Sequence, residues 1–108
     1  MVARNDDLVT VLSDADGTVT VRVDGEFDLA SAPQFVKDMD ALIARRPHLV
    51  ELHLDGLSFI DSSGLHALVI TSRALDAIDG RLELVSVPSS ARKVLDVTQV
   101  DQVLNIRD

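Results

Sequence analysis

The chain has 108 residues, acids outnumber bases eighteen to ten for a net charge of −8, there is no cysteine, and the only aromatic residues are three Phe. That length supports one core, burying roughly two-thirds of the surface an unfolded chain would expose, so 1–108 is expected to be a single domain with a core of Val, Leu, Ile and Ala. The acidic balance argues against a nucleic-acid partner, whose phosphates need clustered Lys and Arg, and the lack of cysteine excludes disulfides, thiolate nucleophiles and thiolate metal sites.

The first residues, "MVARNDDLV", lack the apolar stretch of a signal peptide. The longest uncharged run, Ser62 to Ser72, falls far short of the ~20 residues needed to span a bilayer, and a cytoplasmic location without a membrane partner is expected. Leu8 to Leu12 and Thr18 to Asp24 flank "SDADG", with Val19, Val21 and Val23 on one face of the second run, which predicts a half-buried hairpin. After "DGEFD", Leu29, Ala32, Val36, Met39 and Ile43 recur at helical spacing, so an amphipathic helix is expected to end near Arg45-Arg46-Pro47. Leu49 to Asp55 alternates as a third strand.

A second helix is predicted from about Leu65 to Ile78, followed by a strand at Arg81 to Val85, a short helix from Pro88 to about Val97 and a last strand at Val103 to Ile106. Alternating strand and helix after a hairpin favours an α/β fold, a mixed sheet of about four to five strands with helices over one face.

"FIDSSGLHALV", Phe59 to Val69, interrupts this apolar pattern at a strand-to-helix junction. There the first helical N–H groups lack internal partners and the helix dipole is positive. A cap explains one Asp or Ser. It does not explain Asp61, Ser62 and Ser63 together, nor Gly64 in the first turn, which costs up to about 1 kcal/mol relative to Ala and marks a close backbone approach. Structural and functional readings both stand on these residues alone.

Nucleophilic catalysis fits poorly, because Ile60 sits where the hydrolase elbow needs Gly, and His66, one helical turn beyond Ser62, is badly placed as its base. His53 and His66 with a nearby Asp lack metal-ligand spacing, His48 reads as a surface residue, and no metal or cofactor is expected. Phosphorylation of the serine would add about −1.5 to −2 charges to an acidic surface and switch off an interface.

At this point the sequence resembles the STAS domain family, specifically the bacterial anti-sigma factor antagonists. The resemblance is carried by "VDGEFDLASAPQF" (Val23 to Phe35), "LHLDGLSFIDSSGLHALV" (Leu52 to Val69) and, more loosely, "VPSSARKVLDVTQVDQVLNI" (Val87 to Ile106). It implies the STAS fold and a regulatory, non-enzymatic role. An unphosphorylated antagonist binds an anti-sigma factor that is also a serine kinase and so frees a sigma factor; phosphorylation breaks the complex and a serine phosphatase restores it. The implied acceptor is Ser62, positioned by Asp61. Ser63 and Gly64 would lie against the partner, His66 with them, and the "GEFD" loop, Gly25, Glu26, Phe27 and Asp28, would line the same face. Taken without the resemblance, Glu26 and Asp28 read as a solvated turn.

Two features depart from the family: Gln99 stands where Gly is common, and the sequence ends at Asp108, where many members continue into another helix. The second leads to an expectation of open apolar surface around Val103, Leu104 and Ile106, and of weak self-association through it, unless the Leu8 to Leu12 strand or the Pro88 to Val97 helix covers that surface. The competing functions are a STAS module that binds a nucleotide or small ligand without being phosphorylated, and a subunit of a stress-sensing assembly. A Gly-rich phosphate loop that would favour the nucleotide is absent from the sequence.

Overall fold

The computed structural model describes residues 8–100 and 104–107. Five strands and three helices alternate after an opening hairpin: β1 (Val9–Ala15), β2 (Thr18–Phe27), α1 (Ala32–Ile43), β3 (Leu49–Ile60), α2 (Ser62–Asp76), β4 (Arg81–Val85), α3 (Ser89–Thr98) and β5 (Asn105–Arg107). The strands lie in chain order in one sheet. β1 runs antiparallel to β2, and every later neighbour is parallel, each parallel pair joined through a helix.

Period-two alternation gives the sheet its two faces. Val19, Val21 and Val23 of β2, Val50, Leu52 and Leu54 of β3, and Leu82 and Leu84 of β4 are buried beneath the helices. Ala32, Phe35, Met39 and Leu42 of α1 and Leu65, Leu68 and Leu75 of α2 meet them at helical spacing. The opposite face is polar. There Arg107 Nη1 bridges Glu51 Oε2 at 2.9 Å and Glu83 Oε1 at 3.0 Å, and Arg81 Nε meets Glu83 Oε2 at 3.0 Å. Arg22 holds its proton more tightly than usual because it donates to Asp24. Solvent-exposed pairs of this kind contribute little to stability, so the fold rests on the other face.

Several boundaries differ from the sequence-based expectation. The sequence pattern ended these strands at Asp24 and Asp55, but β2 and β3 continue side by side through Asp24-Gly25 and Asp55-Gly56, with Asp24 opposite Gly56 and Gly25 opposite Leu57, across two register shifts. A Cβ on Gly56 would overlap the Asp24 carboxylate, so glycine leaves room for that side chain beside the bulge. Gly25, at φ +92°, takes a conformation other residues avoid. The "GEFD" segment is therefore mostly strand, and only Asp28 lies past it. Leu29 is a second correction: α1 begins at Ala32, with Pro33 in its first turn where the missing N–H costs nothing, and Leu29 is 75% exposed in the connection.

The expected open surface around Leu104 is a third correction. Leu104 is buried within the hydrophobic core, at 5% exposure, and Ala91 and Leu95 of α3, the helix that leads to β5, are buried in that core as well. Val103, expected to start the last strand, lies outside the described residues. Gln99 ends α3 at φ +63°, the left-handed position where glycine is the usual residue. Among the described residues no helix is long and apolar enough to cross a membrane.

Candidate functional site

Parallel pairing carries β2 and β3 to a common end, where Phe27 lies opposite Ile60. The connections that leave these strands, through Asp28 and through Asp61, therefore share one edge of the sheet, the place where parallel sheets collect functional groups. A hydrogen bond ties them: the Asp61 amide donates to the Phe27 carbonyl at 3.2 Å.

Asp61 is the N-cap of α2. With extended backbone, its Oδ1 accepts from the amides of Ser63 at 2.8 Å and Gly64 at 3.1 Å, while its carbonyl starts the helical ladder by accepting from Leu65. Ser62, first residue of the helix, is thereby fixed in place with its side chain exposed. Its hydroxyl has no partner among the described residues. Fixed backbone beneath a free hydroxyl suits a group that another protein must reach. Asp61→Ala is expected to cost about 0.5–2 kcal/mol and lower the melting temperature by several degrees, whereas Asp61→Asn, an equally good cap, should melt like the wild type. Equal melting of all three proteins would show that the cap is not holding this turn.

Gly64 explains how the site is seated. It is buried, and a Cβ there would lie 2.6 Å from the Phe27 carbonyl oxygen, 2.9 Å from Ile60 Cγ1 and 3.0 Å from Phe27 Cγ. Glycine lets the first turn of α2 press onto the end of β2. Gly64 and Phe27 were both expected to lie against a partner, and the structure places both on the inner side. Phe27 is fully buried, its ring 4.6 Å from that of Phe35 with the planes at 50°. They support the site from behind.

Asp28 has a local task as well. Its Oδ1 accepts from the amides of Ala30 and Ser31, and its own amide donates to Ser31 Oγ, which in turn donates to the Glu26 carbonyl at 2.8 Å. This closes the turn into α1. Glu26 itself is exposed, and Gly25 is half-buried two residues before the end of β2.

Beside Ser62 the two helices leave an apolar groove. Leu29, Ala32, Pro33 and Val36 line one wall, and Ser63, His66, Ala67 and Ile70 the other. Leu29 and Ile70 are exposed at 75% and 37%. Sequence periodicity hid Leu29 by counting it into the helix; the "S-A-P" that follows, a cap residue and a first-turn proline, was the signal for a later start. His53 lies on the polar face of β3 near Glu51, away from His66 on α2, so the structure does not bring these histidines together. Among the described residues no three His, Cys, Asp or Glu side chains are grouped to hold a metal ion.

The STAS domain model matches residues 10–108. The anti-sigma F factor antagonist of Paenibacillus polymyxa is 30% identical over 94 residues, which cover 85% of this chain and 80% of that one. The anti-sigma-B factor antagonist of Staphylococcus epidermidis is 26% identical over 88 residues, 82% of each chain. Among solved structures, an anti-sigma factor antagonist from Mycobacterium paratuberculosis has a TM-score of 0.79 at 27% identity, covering 97% of this chain and 89% of that one.

Proposed function

The chain belongs to the STAS domain family, and we propose that it is a cytoplasmic anti-sigma factor antagonist switched by phosphorylation of Ser62. The unmodified chain binds an anti-sigma factor that is also a serine kinase, and a sigma factor is released. The kinase then transfers the γ-phosphoryl group of ATP to Ser62 Oγ, ADP leaves, and the complex parts; a serine phosphatase resets the chain. The protein acts by binding, as a substrate of the kinase rather than a catalyst.

The observation that carries this reading is the exposed, unpartnered Ser62 hydroxyl on a turn fixed by Asp61, with an apolar groove beside it. Relatives that are anti-sigma factor antagonists support the role. Binding covers the exposed part of this edge, Glu26, Asp28, Ser62, Ser63 and His66 with the groove, while Gly25, Phe27, Asp61 and Gly64 hold its shape. About −1.5 to −2 further charges at its centre, on a chain that already carries −8, oppose reassociation.

Incubation with the cognate kinase and ATP, followed by phosphopeptide mapping, should place a single phosphate on Ser62. Thr71 is buried and its hydroxyl donates to the Ala67 carbonyl at 2.8 Å, so it should stay unmodified. Modification of Ser63 or Ser89 in place of Ser62 would refute the assignment.

A further inference from the structure

A phosphoryl group on Ser62 meets a helix start two of whose amides are already in use. Asp61 Oδ1 already accepts from the Ser63 and Gly64 amides at 2.8 and 3.1 Å, the donors that would otherwise receive an anion there. The cap is also a carboxylate, of the same sign as the phosphate. The added charge therefore needs a different counter-group.

His66 stands one turn further along α2, exposed, and its imidazole has no partner among the described residues. A helical side chain leans over the turn N-terminal to its own Cα, here the turn of Ser62. Residues four apart have Cβ atoms about 5–6 Å apart, within reach of a phosphoserine and an imidazole.

Little else competes for either group. The residues facing His66 across the groove, Leu29, Ala32, Pro33 and Val36, carry no charge. Among the ionisable groups of the packed elements, Asp28 is bonded to the Ala30 and Ser31 amides, Asp38 to Gln34, and Asp61 to the cap. Glu26, Lys37, Asp40, Arg73 and Asp76 are exposed and line no part of the groove.

We propose that His66 is the counter-group of a phosphoryl group on Ser62, forming an i,i+4 pair that neutralises part of its charge; the inference rests on Ser62 being the phosphoacceptor. His66 is a positioning residue and no bond to it forms or breaks. A positive charge on the imidazole would offset part of the negative charge that the modified surface presents to its partner.

The test uses the full chain with phosphoserine installed at position 62 during translation, so that no kinase is needed. Phosphorus NMR follows the second ionisation of the phosphate, near pH 6 for ordinary phosphoserine. In the wild-type chain the midpoint is expected a few tenths of a pH unit below that in His66→Gln, the size an exposed i,i+4 charge pair supports. His66→Lys, charged throughout, should lower it at least as far as the wild type does, and melting curves establish that each variant is folded. Equal midpoints in the wild type and His66→Gln overturn the proposal and leave the Ser62 switch standing. A proven kinase that leaves Ser62 unmodified removes the switch while the titration still reports whether the pair forms.

Discussion

Phe27→Ala should lower stability by about 3–5 kcal/mol, the usual cost of emptying a phenylalanine site in a core. The ring is fully buried against Phe35, and the same residue's carbonyl receives the Asp61 amide and touches the first turn of α2 through Gly64. Domains of this size have on the order of 5–15 kcal/mol in total. The melting temperature should therefore fall by roughly 15 °C or more. Phe27→Leu, which keeps most of the volume, should remain folded and still bind the partner. An unchanged melting temperature in Phe27→Ala, together with lost binding, would return Phe27 to the surface that the sequence motif first suggested.

The valine alternation of β2 and the helical stripe of α2 were legible because burial on one face imposes a period that the sequence keeps. The reach of β2 and β3 was not. Each contains an Asp-Gly pair at which the sequence pattern ended the strand, and only their pairing, Asp24 beside Gly56, carries both strands on as one bulged ladder. That a cap sits at this junction was legible as one of two readings, but which of Asp61, Ser62 and Ser63 supplies it was not, because all three residue types can cap a helix. Depth was harder: a motif written along one dimension does not say which of its residues face inward, and Phe27 and Gly64 were placed on the wrong side for that reason. Leu104 was misjudged similarly, because the burial of a residue beside the last strand depends on how the preceding helix packs, which the local pattern does not state.

Ser62→Asp should separate folding from binding. A carboxylate in the first helical turn gains about 0.3–1 kcal/mol from the helix dipole, and the neighbouring Asp61 charge offsets part of that. Its melting temperature should lie within a few degrees of the wild type. Affinity for the anti-sigma factor should fall on the order of a hundredfold, about 3 kcal/mol, if the added charge sits at the centre of the docking face as proposed. Ser62→Ala, which adds no charge and removes a hydroxyl with no partner, should bind like the unmodified chain and ignore the kinase. A steep loss of melting temperature in Ser62→Asp would instead make the position structural.

The most direct measurement is a calorimetric titration of the cognate anti-sigma factor into the same chain, once unmodified and once fully phosphorylated at Ser62. The expected result is a stable complex with the unmodified chain and an affinity at least about a hundredfold weaker after phosphorylation. Equal affinity in the two titrations, with Ser62 phosphate verified in the cell, would contradict the switch.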